Sequence, residues 1–158
     1  MSIRRSAIGL AAFILAAFSA GAIGSIFTAS AIPTWYAALR KPPWTPPGWV
    51  FGPVWTTLYL MMGVAAWLVW RRGGCAANRT PLILFALQLA ANALWSILFF
   101  GLHAPGAAFL EILILWSLIL ATALTFRRVS SLAAWLLLPY LAWVTYAATL
   151  NVGVWRLN

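Results

Sequence analysis

Long apolar runs separated by short polar breaks dominate the pattern of this chain. Each run is close to the ~20 residues that an α-helix needs to cross a bilayer. The five runs cover about residues 6–31, 51–70, 82–102, 106–126 and 132–152. They are rich in Ala and Leu and do not alternate as the strands of a membrane barrel do. The pattern predicts an all-α integral membrane protein, with residues 1–158 forming a single five-helix transmembrane domain.

The break between the first two runs differs from the others, which are short and built from Arg, Gly, Pro and Ser. It lies within WYAALRKPPWTPPGWVFGPVWTTLY, from Trp35 to Tyr59, and is rich in Pro and Trp. Pro46, Pro47 and Gly48 interrupt any helix there. The sequence therefore predicts a long, stiff Trp/Pro-rich loop between helices 1 and 2, which we interpret as a lid or a ligand platform.

The composition excludes a soluble domain, because only 7% of residues are charged and 65% are hydrophobic, whereas soluble domains carry roughly 25% charged residues. The net charge of +9 comes from isolated basic residues and pairs between apolar runs. This arrangement indicates membrane topology and argues against a nucleic-acid partner. The single cysteine, Cys75, excludes an internal disulfide, and with one His and one acid no metal site is predicted.

The distribution of basic residues predicts the orientation. Seven arginines fall on the N-terminal side, whereas Arg40, Lys41 and Arg156 fall on the other. The positive-inside rule then places the N-terminus in the cytoplasm, with the C-terminus and the helix 1–2 loop outside a bacterial cell membrane. A cleaved signal peptide is the alternative reading of the first run, but its length favours a retained helix.

Two polar features inside the runs leave their roles open. Gln88, Asn92 and Ser96 recur every four residues and form one stripe on the third helix, with Asn92 roughly 15 Å from the Leu102 end at 1.5 Å per residue. Such a stripe bonds helices together, contacts a ligand, or does both. Glu111, the only acid, is either a structural anchor near a helix N-terminus, with His103 as its expected neighbour, or a functional acid.

Several tryptophans lie too deep to belong to an interfacial aromatic belt. They are Trp55, Trp95, Trp116 and Trp143. Pro139 is expected to kink the fifth helix near Trp143 and make room there. We expect Trp55, Trp95, Trp143 and Asn92 to point into the outer half of the bundle, beneath the loop. Aromatic walls with a few amides suit a flat, largely apolar ligand, although Trp143 taken alone is better explained by core packing.

Small residues recur at four-residue spacing on two helices. Ala17, Gly21 and Ser25 do so on the first, and Ala86 and Ala90 on the third. Small residues let helices approach closely. Either stripe therefore fits internal packing or the seam of a homodimer.

Ordered motifs along nearly the whole chain carry a family resemblance. They include KPPWTPPGW at 41–49, GPVWTTLY at 52–59, the stretch 88–95 and PYLAW at 139–143. The chain resembles a bacterial member of the translocator protein / tryptophan-rich sensory protein family, also called the peripheral-type benzodiazepine receptor family. The resemblance implies a five-helix bundle that is usually dimeric. It also implies a pocket under the first long loop for porphyrins, haem and benzodiazepine-site drugs, with no obligatory cofactor.

The resemblance also carries site residues. The implied pocket comprises Tyr36, Pro46, Trp55, Asn92, Trp95, Trp143 and Ala147. Some family members promote light-dependent breakdown of protoporphyrin with the tryptophans that match Trp55 and Trp143, which are therefore the candidate catalytic residues. Two positions depart from the family. Val152 and Gly153 replace the tyrosines of the animal sterol-recognition pattern, which argues against sterol binding of that kind, and Glu111 stands where many members carry Asp.

These observations rank the functions. The leading hypothesis is a membrane receptor or sensor that binds protoporphyrin IX, haem and benzodiazepine-site-type apolar ligands. The alternatives are a light-dependent protoporphyrin-degrading enzyme, a porphyrin or sterol transporter, and a structural interaction protein. The expected partners are membrane lipids, the tetrapyrrole ligand and a second copy of the chain.

Overall fold

Uninterrupted apolar sequence forms long helices because backbone groups in lipid must bond to one another within the segment. The structure, a computed structural model, describes residues 2–158. Five helices in this range are long and apolar enough to cross a membrane, and the range contains no strand. They are α1 (Ile3–Tyr36), α2 (Gly48–Trp70), α3 (Arg79–Gly101), α4 (Pro105–Val129) and α5 (Ser131–Leu157). The predicted all-α, five-helix membrane protein is confirmed.

The two largest differences from the predicted ends are equal: α5 continues past residue 152 to Leu157, and α1 continues past residue 31 to Tyr36. Its last segment, Ile32–Tyr36, is a π-helical turn with Pro33 at its start. Pro33 has no amide hydrogen to donate, and a π turn changes the local bonding so that the helix can continue. Trp35 and Tyr36 therefore lie on a helix, and the predicted loop shortens to residues 37–47, which we call the connector.

Side-chain hydrogen bonds fix the junctions between α4 and α5 and between α2 and α3. The Ser130 hydroxyl oxygen accepts a hydrogen bond from the Ala133 amide at 3.4 Å, which starts α5 directly after α4. Between α2 and α3 the buried Asn78 amide donates to the Val69 carbonyl at 3.1 Å. Both caps satisfy backbone or side-chain groups that an abrupt helix end would leave unbonded.

The five helices form a closed ring in the order α1, α2, α5, α4, α3, because each packs on the next and α3 packs back on α1. The main core fills the middle of this ring, with its largest fully buried side chains drawn from α2, α3, α4 and α5. These are Met62, Val69, Gln88, Ile112, Leu115, Ile119, Thr122, Phe126, Leu137, Tyr140, Val144 and Asn151. A second cluster around Phe99, Ala108 and Val154 closes the outer end of the bundle.

Small residues on α1 and α2 decide how α1 packs. A Cβ atom at Gly63 of α2 would lie 2.6 Å from the Cα atom of Ile14, so the two helices touch backbone to backbone. Ala17 is fully buried, and the Tyr59 ring packs directly on Gly21. The small-residue stripe of α1 thus serves internal packing.

The second stripe, on α3, faces outward. Ala86 and Ala90 are both exposed on the surface of the bundle. The homodimer seam stays a prediction, and this is the stripe that is free to form it.

Candidate functional site

Asn92 lies at the centre of the bundle and joins three helices through one amide group. Its Oδ1 atom accepts a hydrogen bond from the Tyr59 hydroxyl of α2 at 2.8 Å. Its Nδ2 atom donates to the Tyr140 hydroxyl of α5 at 3.0 Å. Asn92 is only 4% exposed. Of the two roles left open for this amide, the geometry therefore favours bonding between helices over direct contact with a ligand.

The other members of the α3 stripe also face the interior. Gln88 is buried, and its Nε2 atom lies 3.8 Å from the Met62 sulfur, while its Oε1 atom has no hydrogen-bond partner in residues 2–158. Ser96 packs on α1, where a Cβ atom at Gly24 would lie 2.8 Å from the serine hydroxyl oxygen. Gln88 therefore faces α2, Asn92 faces α2 and α5, and Ser96 faces α1.

Trp95 anchors α3 to α5 at the outer end. Its indole Nε1 donates to the Asn151 Oδ1 atom at 3.0 Å, and the Asn151 Nδ2 atom donates to the Pro105 carbonyl at 2.7 Å. Asn151 is buried and joins three segments. Sequence reasoning did not single it out, although an Asn within an otherwise apolar span is a signal that could have found it.

Tyr36 and Trp95, both predicted site residues, meet through a shared aromatic cluster. The Trp95 ring stacks on Phe99 with centroids 5.1 Å apart, and Tyr36 contacts the same Phe99 ring at 6.3 Å. The Lys41 ammonium lies 4.7 Å from the centre of the Tyr36 ring, a cation–π contact that closes the cluster on its outer side. This cluster lies where α1 gives way to the connector.

The connector contacts the C-terminal end of α5 and Asn158 at three places, two through hydrogen bonds and one through packing. The Tyr146 hydroxyl donates to the Trp44 carbonyl at 2.6 Å. Asn158 accepts from the Arg40 amide and donates to the Arg40 carbonyl, both at 3.0 Å. Between these contacts the buried Pro42 ring presses against Gly153. The connector therefore covers one end of α5, and Pro46, which follows Trp44, is half-buried within it.

The two tryptophans expected to share a pocket line different grooves. Trp143 lines a groove of about 720 Å³ between α2 and α5. Trp55 lines a groove of about 290 Å³ between α1 and α2. Neither groove is lined by Tyr36, Pro46, Asn92, Trp95 or Ala147, and Ala147 instead packs half-buried against the main core. Of the seven predicted residues, Trp143 lines the first groove and Trp55 the second, and a pocket shared by all seven stays a prediction.

Each groove tryptophan has its own aromatic contacts. Trp55 stacks on Tyr59, with ring centroids 5.4 Å apart and planes at 25°, and meets Tyr140 edge-on at 6.2 Å. Trp143 meets Phe51 of α2 edge-on at 5.9 Å. Trp55 therefore packs on the two tyrosines that are bonded to Asn92, whereas Trp143 packs on Phe51.

The expected pairing of His103 with Glu111 is not formed. The exposed His103 ring stacks on Trp35, with centroids 4.3 Å apart and planes at 12°. Glu111 is buried, and neither carboxyl oxygen has a hydrogen-bond partner among the described residues. Residues 2–158 hold no group of three metal-ligating side chains.

Comparison with known proteins places this chain among similar ones. A family model described as TspO/MBR family matches residues 12–156. Tryptophan-rich protein TspO of Archaeoglobus fulgidus is 43% identical over 149 residues, which covers 94% of this chain and 96% of the relative. Translocator protein of Homo sapiens is 45% identical over 138 residues, with coverage of 86% and 82%. Protein CrtK of Rhodobacter capsulatus is 40% identical over 152 residues, with coverage of 94% and 91%.

Proposed function

The chain belongs to the TspO/MBR family, and from this membership we propose that it is a membrane receptor or sensor for flat, largely apolar tetrapyrroles. Its five apolar helices and its relatives make it a multi-pass membrane protein. Protoporphyrin IX and haem are the proposed ligands, and benzodiazepine-site-type compounds are proposed to compete for the same site.

The observation that carries the proposal is the groove between α2 and α5. Its volume of about 720 Å³ lies within the range of ligand pockets, which is roughly 300–1,000 Å³. Its lining is almost entirely apolar, and the Trp143 indole forms one wall. An aromatic wall of this kind favours a planar ligand, because stacked rings bury a large apolar area in a defined geometry.

We propose that the connector forms the roof of this site. Tyr146 lines the groove, and its hydroxyl also holds the Trp44 carbonyl of the connector. A ligand in the groove therefore lies next to the side chain that holds the lid in place. This coupling suits a receptor, because a ligand in the groove that moves Tyr146 would also move the exposed connector.

We propose Trp55, on the other side of α2, as a second wall of the binding site. Its edge-on contact with Tyr140 places it against the core rather than in the α2–α5 groove. A ligand that reaches both tryptophans has to displace part of this aromatic packing. The contribution of Trp55 to binding therefore distinguishes a site confined to one groove from a site that spans both.

The test is a titration of protoporphyrin IX into the protein in lipid nanodiscs, followed by porphyrin absorbance. We expect Trp143→Ala to weaken binding about tenfold, since loss of a stacking wall of about 1.4 kcal/mol corresponds to that factor. Trp135→Ala is the matched control, because Trp135 lies on the same helix but is 68% exposed. Equal affinities of the wild type and Trp143→Ala would overturn the groove assignment. Weakening by Trp55→Ala as well would support the two-wall site.

A further inference from the structure

The only acidic side chain of this protein is buried without a partner. Glu111 lies on α4 and is 6% exposed. Neither of its oxygens has a hydrogen-bond partner among residues 2–158. It is the seventh residue of a helix that starts at Pro105. The favourable effect of a helix N-terminus on a carboxylate falls off within the first turn, so the helix end does not compensate its charge.

The basic groups of the protein are engaged or exposed elsewhere. The nine arginines are exposed. The Lys41 ammonium donates to the carbonyl oxygens of Ala37 and Leu39, and His103 stacks on Trp35. An ionised carboxylate with no such partner is very costly in an apolar medium, and a buried acid in that position takes up a proton instead.

The titratable neighbour of Glu111 on the helices packed against α4 is Tyr140 of α5. Tyr140 is fully buried, and its helix α5 packs along α4. Its oxygen accepts from Asn92, whose own carbonyl oxygen is already bonded to Tyr59. The hydroxyl hydrogen of Tyr140 is therefore the donor left over at the centre of the bundle. The buried polar side chains of α3 in the described residues are Gln88 and Asn92, both neutral amides.

Tyr59 carries this hydrogen-bonded chain to the surface of the bundle. It lines the groove between α1 and α2 and stacks on Trp55. The chain Tyr140–Asn92–Tyr59 thus connects the surroundings of Glu111 with that groove. Glu111 itself lines neither groove, so the ligand that fits it without rearrangement of the helices is a proton.

We propose that Glu111 is a proton-binding site within the membrane, a neutral carboxylic acid in the resting protein, with the Tyr140 hydroxyl as the donor that stabilises the carboxylate when the proton leaves. The oxygen–hydrogen bond of the acid breaks, the proton passes to water, and Tyr140 turns its hydroxyl towards the new carboxylate. Because Tyr140 remains the acceptor for Asn92, the hydrogen bonds from Asn92 to Tyr140 and from Tyr59 to Asn92 are kept during this change. This site does not depend on the identity of the ligand proposed above.

The experiment uses the fact that one Asp or Glu exists in the whole chain. Protein labelled with ¹³C at the Glu side-chain carboxyl and placed in nanodiscs gives a single Glu carboxyl resonance, which Glu111→Gln removes. At about pH 7, where an exposed Glu is ionised, we expect the chemical shift of the protonated acid. A carboxylate shift at that pH would overturn the proposal.

Two variants test the role of Tyr140. In Tyr140→Phe we expect the acid to convert to the carboxylate only at higher pH than in the wild type, because the stabilising donor is gone. Tyr59→Phe is the matched control, since it removes a hydroxyl from the same chain but leaves that of Tyr140, and we expect no change. An equal response of both variants, or of neither, would overturn the assignment to Tyr140.

A second measurement needs no substitution in the core. Dicyclohexylcarbodiimide is apolar and reacts with protonated carboxyl groups. We expect mass spectrometry at neutral pH to find one adduct, on the peptide that contains Glu111, and a water-soluble carbodiimide to give none. Absence of the apolar adduct would count against a protonated acid within the membrane-spanning bundle, even if Tyr140→Phe failed to fold.

Discussion

At the scale of single residues, the Asn92 side chain joins three helices, because one amide is bonded to the hydroxyl groups of Tyr59 and Tyr140 on two other helices. We predict that Asn92→Leu, which is similar in size, leaves Tyr59 and Tyr140 without this partner and destabilises the bundle. Side-chain hydrogen bonds between membrane helices are worth about 0.6–1.7 kcal/mol each. At roughly 2–4 °C per kcal/mol, the loss of both bonds should lower the midpoint of thermal unfolding in detergent by about 2–14 °C.

The control removes the orphaned hydroxyl groups as well. The triple variant Tyr59→Phe, Asn92→Leu, Tyr140→Phe should lose less stability than the sum of its single changes, because no buried polar group is then left unbonded. Strict additivity of the three changes would show that the hydrogen bonds in this chain do not act as one unit.

At the scale of elements, the connector depends on its docking to α5 at Gly153. Any side chain there meets the Pro42 ring. We predict that Gly153→Ala lifts the connector and speeds hydrogen exchange at the Arg40 and Thr45 amides, which are bonded to Asn158 and Pro42 in the docked form. Mass-spectrometric exchange of peptides that cover residues 37–47 measures this.

Gly48→Ala is the matched control for the connector. A Cβ atom at Gly48 meets nothing within 4 Å, although this glycine directly follows the connector. Its exchange should equal that of the wild type. If Gly153→Ala also exchanged at the wild-type rate, the contact between Pro42 and α5 would not hold the connector closed. The sterol-pattern tyrosine is absent at position 153, where a side chain would meet the Pro42 ring in this structure.

At the scale of the whole molecule, the basic residues predict one orientation in the membrane. Cys75 is exposed and lies between α2 and α3, on the side of the N-terminus. Because it is the single cysteine, we predict that a membrane-impermeant maleimide labels it in whole cells only after permeabilisation. The double variant Cys75→Ser, Gly48→Cys moves the thiol to the opposite side and should be labelled without permeabilisation. The reversed labelling pattern would contradict the predicted orientation.

Much of the architecture could be predicted because it depends on local properties of the chain. The number of helices follows from the length of each apolar run. The α-helical part of α2 covers Phe51–Trp70 as predicted, and the short 3₁₀ turn Gly48–Val50 before it was not predicted. The end of α1 could not be predicted, since Pro33 ordinarily interrupts a helix but here opens a π turn. The deep position of Asn92 was predicted, but its two tyrosine partners were not.

The sequence by itself determined that this chain crosses the membrane five times, belongs with a particular set of relatives, and holds a single acid among apolar residues. Only the tertiary structure decided which helices meet. It put Trp55 and Trp143 on the linings of two different grooves and paired the Trp95 indole with Asn151. It also left the Glu111 carboxyl without a hydrogen-bond partner among residues 2–158. The physical reason is that hydropathy acts on each segment independently, whereas hydrogen bonds and close packing between helices depend on rotations and offsets that no single segment encodes.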